Sequence, residues 1–295
     1  MYILSFDIGG TSIKYGVLDD KGTIFESDKF VTPQDNIDAL IKGLADVKNK
    51  YSSKFKLEGI AISAPGAVDN ETGIIGGSSA VPCIHNFNIK ERIKEELGLR
   101  VSMENDANCA GLAEVWLGAA KENKDVIFVV CGSGIGGAVI KDRKIHRGAH
   151  LHGGEFGYMI ICEKYGTFSD TASPVNVAKR IAERKGMDPE KFNFEKALEL
   201  EKQGDEIAHE EINNFYYYLA LGLYDIQYTY DPEVIVLGGG VSGMKGLVEK
   251  VDAQMDNILK KVEIAKVRPE IKTCEFKNDA NLIGAIYNYL VEYKL

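Results

Sequence analysis

Residues 2–11 read YILSFDIGGT, an apolar run that ends in an aspartate and two glycines. A second apolar run, residues 12–18, follows and ends in a charged turn, so the pattern predicts two strands joined by a glycine loop. The same order returns 122 positions later, where Gly132-Ser133 aligns with Gly10-Thr11. Two copies of one unit at this distance predict two similar domains of mixed α/β structure.

Helical patterns fill much of the chain around these strands. Apolar spacing and the residues that flank it predict helices over 35–50, 89–97, 107–117, 174–185, 205–230 and 281–293. Strands and helices of this kind, with no low-complexity segment, are typical of a compact α/β protein.

The composition excludes several classes of protein. The chain has 295 residues, of which 45% are hydrophobic and 27% charged, and its net charge is −9. An acidic chain is a poor partner for nucleic acid, and no apolar run approaches the roughly 20 residues that span a bilayer. The five cysteines form no CxxC pair, and the N-terminus has no signal-peptide pattern. We therefore expect a cytoplasmic protein that binds neither nucleic acid nor membrane.

The first glycine loop is a candidate phosphate site. Gly9, Gly10 and Thr11 combine flexible backbone with a hydroxyl donor, which suits an anion, although a bare hairpin turn would use the same residues. Asp7 could hold Mg²⁺ through water at the end of this strand. Lys14 either reaches a phosphate or is a solvated hairpin residue.

The second loop, CGSGIGG at residues 131–137, contains the dinucleotide pattern GxGxxG. A dinucleotide site requires a helix to begin there, whereas residues 138–146 read as a hairpin, so we reject binding of NAD. Gly132, Ser133 and Gly134 are instead predicted to form a second phosphate loop.

A third glycine segment, Gly238-Gly239-Gly240, follows the apolar strand at residues 234–237. It is either a flexible connection or a place where an adenosine lies against bare backbone.

Two acidic segments are candidate sites for chemistry. Asp106 stands between a predicted strand and a predicted helix, where it either caps the helix or acts as a general base beside Asn105. Glu155 lies in a glycine-framed segment and either binds vicinal sugar hydroxyls or is a solvated carboxylate. His146, His150 and His152 lack the partners of a metal site.

In order and spacing these motifs resemble the ROK family of repressors and sugar kinases. The matching motifs are Asp7-Ile8-Gly9-Gly10-Thr11, Ala64-Pro65-Gly66, Glu104-Asn105-Asp106-Ala107-Asn108, Gly132 to Gly137, Gly154-Glu155-Phe156-Gly157 and Gly238-Gly239-Gly240. The resemblance implies an actin-like ATPase fold, with two ribonuclease-H-like domains around a cleft. The first would comprise residues 1–118 with the last helix, 281–295, packed back on it, and the second residues 119–280.

The resemblance also implies roles for single residues. Asp106 would be the base that activates the sugar 6-hydroxyl, with ATP and Mg²⁺ as cofactors and a homodimer as the usual assembly. Sugar contacts are expected from Gly66, Asn86, Asn105, Glu155 and Tyr158. ATP contacts are expected from Asp7, Gly9, Gly10, Thr11, Lys14, Gly132, Ser133, Gly134, Gly239 and Gly240.

The chain departs from the family near its sugar loop. Most members bind a structural zinc with a histidine and a cysteine cluster, but here Tyr158 replaces the histidine and Cys162 is the one cysteine of that stretch. We predict no zinc and a loop held by packing of Tyr158, Tyr165 and Phe168. Ser169 and Asp170 stand where members carry a second sugar-binding glutamate, which leaves that contact open.

An ATP-dependent sugar 6-kinase is the expected activity. A repressor would need a DNA-binding domain before Asp7, a non-catalytic sensor would not need Asp106, and a chaperone-type ATPase has no use for Asn105 and Glu155. Among sugars we favour N-acetylmannosamine, which would mean sialic-acid breakdown, over β-glucosides and glucose. The reason is that the small residues 76–79 could leave room for an acetamido group.

Overall fold

A computed structural model describes all residues, 1–295, and divides the chain into two compact units. Unit 1 comprises Met1–Glu122, Lys144–Gly153 and Phe276–Leu295, and unit 2 comprises Asn123–Arg143 and Gly154–Glu275. The predicted division differs in that it ended the first domain at residue 118 and placed residues 144–153 in the second. The segment belongs to unit 1 because its Arg147 pairs with the buried Glu104.

Unit 1 is an α/β unit with one main sheet. Its strands are β1 (Tyr2–Ile8), β2 (Ser12–Asp19), β3 (Ile24–Val31), β4 (Leu57–Ala64), β5 (Ala67–Asp69), β6 (Ile74–Gly76), β7 (Arg100–Asn105) and the short β10 (Lys144–Ile145). Its helices are α1 (Ile37–Ser52), α2 (Ile89–Leu97), α3 (Asp106–Trp116) and α9 (Ala280–Tyr293). The sheet order is β3-β2-β1-β4-β7.

Strand β1 forms the centre of this sheet. It runs antiparallel to β2, with Asp7 opposite Lys14, and parallel to β4, which is itself parallel to β7. The carboxyl ends of β1, β4 and β7 therefore meet at one edge, as they do in other parallel sheets. That edge receives Asp7, Ala64 and Asn105, which belong to three of the motifs found in the sequence.

Helix α9 completes unit 1 from the far end of the chain. The backbone of Leu282 accepts a hydrogen bond from Ser5 Oγ at 2.9 Å, and Tyr289 donates its hydroxyl to Glu58 O at 3.2 Å. A Cβ on Gly284 would lie 1.7 Å from the carbonyl oxygen of Cys109, so only glycine lets α9 approach α3 this closely.

Glu114 of α3 holds the main chain near two of the four places where it passes from one unit to the other. Its buried carboxylate accepts hydrogen bonds from Ala119 N at 2.9 Å and from Phe276 N at 2.8 Å. The chain first leaves unit 1 after Glu122 and returns to it for the last time at Phe276, so one side chain fixes the backbone near the first and the last crossing.

Unit 2 repeats the topology of unit 1. Its strands are β8 (Val126–Cys131), β9 (Ile135–Lys141), β11 (Ile160–Cys162), β12 (Gly166–Thr167), β13 (Val234–Gly238) and β14 (Ile271–Thr273). Its helices are α4 (Phe168–Ala172), α5 (Pro174–Arg184), α6 (Phe194–Lys202), α7 (Glu206–Tyr230) and α8 (Leu247–Lys261). The order β9-β8-β13-β14, with β9 antiparallel and the others parallel, matches β2-β1-β4-β7.

The glycine loop at residues 132–134 is a hairpin turn. Cys131 pairs with Ile135 across it, and β9 rather than a helix follows. The structure thus confirms the point on which the rejection of a dinucleotide site rested, that a strand and not a helix follows this loop. The core of unit 2 lies around α7, where Phe168 packs against Gly222. None of the helices in the chain has both the length and the apolarity to cross a membrane.

Candidate active site

Asn105, not Asp106, caps helix α3. The side chain of Asn105 accepts a hydrogen bond from Asn108 N at 3.2 Å, and Asp106 is the first helical residue. Asp106 Oδ1 accepts from the next backbone amide, Ala107 N, at 2.8 Å, and the residue is partly exposed. The alternative in which Asp106 serves as the N-cap is therefore wrong.

Gly66 is tied to this helix start. Asn105 Nδ2 donates to Gly66 O at 3.0 Å, and Gly66 has a φ of +101°. A Cβ at Gly66 would lie 2.9 Å from both His85 and Ile75. His85 belongs to none of the sequence motifs, and its Nε2 lies 2.7 Å from Ser79 Oγ. Glycine is required at 66 by both its backbone angle and its neighbours.

Asn86 lies beside His85 in the same loop. Its φ is +66°, a left-handed conformation that asparagine adopts more readily than most residues. Its backbone N–H donates to Ile75 O at 3.0 Å. The residue is exposed. The structure thus brings three of the predicted sugar residues of unit 1, Gly66, Asn86 and Asn105, into connected loops.

Asp7 lies below the first glycine loop and is largely buried. Ser63 Oγ and Asn281 Nδ2 both donate to its Oδ1, at 2.8 and 2.9 Å. Burial raises the pKa of the Asp7 carboxyl, and these two hydrogen bonds oppose the rise. Lys14 is already paired, since its Nζ donates to Asn278 O and Asp279 Oδ1 at 2.8 and 2.5 Å.

The first glycine loop presents backbone amides. Two of its carbonyl groups accept hydrogen bonds from side chains: Thr32 Oγ1 donates to Gly9 O and Gln34 Nε2 donates to Gly10 O, each at 2.6 Å. The amides of Gly10 and Thr11 have no hydrogen-bond partner within the chain. Unpaired amides in a glycine turn are a favourable place for an anion.

Unit 2 contains a pocket of about 550 Å³ beside its two glycine loops. Its lining residues are Gly132, Pro174, Val175, Ala178, Phe192, Asn193, Phe194, Glu195, Leu198, Gly240, Val241, Gly243 and Met244. A Cβ on Gly132 or Gly240 would meet nothing within 4 Å, so both glycines face open space. The walls are largely apolar with a few polar groups, as in many small-molecule sites.

Gly239 precedes Gly240, one of the residues that line this pocket. Its φ is +80°, and a Cβ there would lie 2.4 Å from the carbonyl oxygen of Cys131, so the turn after β13 packs directly on the end of β8. Ser133 is exposed in the neighbouring hairpin, and Gly132 N donates to Gly134 O at 2.9 Å. The second and third glycine segments thus both contribute to the lining of this pocket within unit 2.

Glu155 is exposed in a loop that packs on β9. Gly154 has a φ of +98°, and a Cβ there would lie 2.5 Å from Gly137 O; a Cβ on Gly157 would lie 2.0 Å from Ile135 O. The flanking glycines therefore bring the backbone against the strand while the Glu155 side chain faces solvent.

The prediction that Tyr158 packs to hold this loop is wrong, because Tyr158 is 72% exposed. Phe168 does pack, being fully buried under α7, and Tyr165 meets Tyr218 edge-on with 5.9 Å between ring centroids. Tyr158 follows Gly157, whose backbone packs directly on β9. The Tyr158 side chain instead faces solvent.

Ser169 and Asp170 are both used in local structure. Ser169 Oγ accepts from Ile135 N at 2.9 Å, which ties α4 to the start of β9. Asp170 and Thr167 form a capping box at the start of α4, with Thr167 Oγ1 donating to Asp170 Oδ2 at 2.7 Å. The structure holds no group of three or more histidine, cysteine or acidic side chains arranged for a metal ion.

Sequence reasoning also missed Glu104 and Arg147. Glu104 is fully buried at the end of β7, and Arg147 donates to it from the segment 144–153. A charged residue inside an otherwise buried strand, directly before Asn105-Asp106, was the available signal.

The chain is similar to several known proteins along its whole length. A β-glucoside kinase of Listeria monocytogenes is 34% identical over 99% of this chain and 98% of its own. A ROK family protein of Streptococcus pneumoniae, solved in complex with sucrose, is 38% identical with a TM-score of 0.91, covering 100% of this chain and 99% of that one.

A third relative, a Listeria monocytogenes protein for which N-acetylmannosamine kinase activity has been suggested, is 33% identical with a TM-score of 0.86, covering 99% of this chain and 100% of that one. The family profile itself matches residues 3–291. With its duplicated units and glycine loops in the expected order, the chain belongs to the ROK family and has the actin-like ATPase fold.

Proposed function

We propose that this protein is an ATP-dependent kinase that phosphorylates the 6-hydroxyl of a hexose unit. The arrangement of Asp106 carries the proposal. Its carboxylate stands partly exposed at the start of α3, while the capping and the hold on Gly66 fall to Asn105. Asp106 is thus not needed as the cap and has the exposure that a general base requires.

The proposed step is a direct transfer. Asp106 accepts the proton of the sugar hydroxyl, the hydroxyl oxygen forms a bond to the γ-phosphorus, the bond to the β,γ-bridging oxygen breaks, and ADP leaves. The amides of Gly10 and Thr11 offer hydrogen bonds to phosphate oxygens.

Asp7 fits a water-mediated contact to Mg²⁺, because both of its hydrogen-bond donors use Oδ1. The ion would neutralise phosphate charge.

The pocket of unit 2 is proposed to hold the adenosine of ATP. Its volume of about 550 Å³ lies in the range typical of nucleotide-sized ligands, and apolar side chains such as Val175 and Phe194 offer surfaces for a flat base. Gly132 and Gly240 leave room beside it for the ribose and the phosphates.

For the sugar, we propose a β-glucoside as the first candidate. The supporting observation is similarity, since the Listeria relative at 34% identity is named a β-glucoside kinase and the structure at 38% identity holds a disaccharide. N-acetylmannosamine is the second candidate, because a Cβ on Gly77 would meet nothing within 4 Å, so this glycine leaves open space for an acetamido group.

We further propose a cytoplasmic homodimer without zinc. All five cysteines are free, which suits a reducing compartment. Tyr228, Ile264 and Val267 of unit 2 are exposed apolar side chains that could pack in a dimer. Light scattering tests the dimer. One equivalent of tightly bound zinc on metal analysis would refute the proposal that the protein lacks zinc.

The test of function is an ADP-release assay with Mg-ATP and a panel of cellobiose, glucose, mannose, N-acetylglucosamine and N-acetylmannosamine. Preference for cellobiose supports the first candidate, and preference for N-acetylmannosamine supports the second and the sialic-acid role. ADP release that does not depend on any sugar would overturn the kinase proposal.

A further inference from the structure

The carboxylate of Glu104 is completely buried yet fully paired. Oε1 accepts hydrogen bonds from Asn105 N and from Asn108 Nδ2, both at 2.9 Å. Oε2 accepts from Arg147 through Nε at 3.0 Å and through a terminal nitrogen of the guanidinium. Burying a carboxylate costs several kcal/mol unless it is paired in this way, so each of these donors matters to the folded state.

The first oxygen holds the turn that carries the proposed base. Asn105 and Asn108 belong to the first turn of α3, and Asn108 N also donates to Asn105 Oδ1 at 3.2 Å. Asp106 lies between them, so its backbone is fixed on both sides by groups that bind Glu104.

The second oxygen holds the segment that leads into the Glu155 loop. Arg147 O accepts a hydrogen bond from Gly153 N at 2.8 Å, which closes the loop of residues 148–152. Within that loop Gly148 and Leu151 have φ values of +74° and +62°. Arg147 therefore closes its own loop through its backbone and ties that loop to β7 through its side chain.

We infer that Arg147 is a positioning residue that acts through Glu104 to hold Asp106, an inference that rests on the proposed function. Without the guanidinium, Oε2 keeps only a long contact of 3.5 Å from Asn70 Nδ2. The buried Glu104 carboxylate must then take up a proton or accept from a new donor, and the first turn of α3 shifts with it. A displacement of about 1 Å can cost on the order of 100-fold in rate at a reacting group.

The test compares Arg147→Met with Arg147→Lys in the full chain. We expect Arg147→Met to lower kcat about 100-fold with the KM for ATP unchanged. Arg147→Lys should recover part of the loss, because lysine restores the charge without the two-pronged geometry. A control is Lys185→Met, which breaks a part-exposed ion pair with Asp205 of unit 2 and should lower stability alone.

Hydrogen exchange gives a readout that does not depend on turnover. In Arg147→Met the amides of Asn105 and Asn108, which donate to Glu104 and to Asn105, should exchange faster, while those of β8 stay protected. Unchanged exchange at these two amides, or unchanged kcat, overturns the inference.

If Arg147→Met does not fold, Glu104→Gln replaces it, because the amide keeps an oxygen acceptor for Asn105 N but presents an NH2 donor to Arg147, which breaks that pair. A folded Glu104→Gln with full activity contradicts the inference. A wild-type protein that phosphorylates no sugar refutes the proposed function instead, and the exchange experiment still decides the link between Arg147 and the α3 turn.

Discussion

The side-chain amide of Asn105 donates a hydrogen bond to the carbonyl oxygen of Gly66 at 3.0 Å. This bond joins the first turn of α3 to the turn after β4, two segments 39 residues apart in the chain. The same side chain caps α3 through its other atom, Oδ1. The residue beside the proposed base thus links the helix that carries Asp106 to the loop expected to bind the sugar.

Replacing Asp106 with asparagine should separate catalysis from folding. Asn105 caps the helix, so Asp106→Asn should keep the melting temperature close to that of wild type while kcat falls by about 10²- to 10⁴-fold. Steady-state kinetics and thermal melting measure the two effects. Asn105→Ala is the contrasting variant and should lose about 1 kcal/mol of stability as well as activity. Near-normal turnover by Asp106→Asn would remove Asp106 from the mechanism.

Gly66→Ala should destabilise the protein and weaken sugar binding. The φ of +101° strains any residue with a side chain, and the new Cβ would lie 2.9 Å from both His85 and Ile75, so strain and crowding together cost about 3 kcal/mol. Gly98→Ala is the matched control, because its φ of +69° is strained but its Cβ would meet nothing within 4 Å. It should cost only about 1 kcal/mol and leave the KM for sugar unchanged. Equal costs for the two, measured by urea unfolding, would contradict the crowding at Gly66.

Gly240→Val should weaken nucleotide binding without unfolding the protein. The new side chain would enter the open space of the unit 2 pocket, where it would compete with the nucleotide for room. A loss of about 1.4 kcal/mol in the free energy of nucleotide binding raises the KM for ATP about tenfold. The KM for sugar and the melting temperature should stay at their wild-type values. Gly239→Ala should behave in the opposite way and lose stability, because its Cβ would collide with Cys131 O. An unaltered KM for ATP in Gly240→Val would place the nucleotide elsewhere.

Asp7→Asn should be more stable than wild type at higher pH. It should also be less active. Burial raises the pKa of Asp7 above its ordinary value of 3.8, so the folded state keeps this proton to higher pH than the unfolded chain does. The ionised group therefore costs stability as the pH rises from 3.8 through the raised pKa. The asparagine carbonyl can still accept from Ser63 and Asn281, but it cannot ionise.

Urea unfolding of Asp7→Asn and wild type across a pH series checks this sign. The stability difference should be small at the acidic end, grow with pH in favour of the variant and then level off. A difference that is largest at low pH would contradict the raised pKa. The loss of a carboxylate proposed to hold Mg²⁺ should lower kcat at every pH.

Much of the fold could be predicted because local patterns and tertiary structure agree. Helix α2 begins and ends where its apolar spacing and Gly98 place it, and the hairpins at both glycine loops follow from alternation and turn residues. Helix α8 was missed although Leu247, Val251, Met255 and Ile258 carry a helical period, because no strong start signal precedes it and the glycines at 238–246 favour a loop.

The parts of the site that escaped prediction depend on contacts between distant residues. The pairing of Glu104 with Arg147 spans 43 positions, and that of Asp7 with Asn281 spans 274. The exposed position of Tyr158 likewise follows from the way Gly157 packs on β9, which no local pattern reports. The N-cap at Asn105 could have been predicted from the sequence, since asparagine is as good an N-cap as aspartate.

Helix α9 has a consequence for the way the protein is made. Strand β1 is synthesised before the other elements of both units, but the side chain that donates to Asp7 is added 274 positions later. All residues of unit 2 have been translated by Glu275, before any of α9 is translated. Because domains fold as their residues become available, β1 is expected to reach its final packing only after unit 2 has been synthesised.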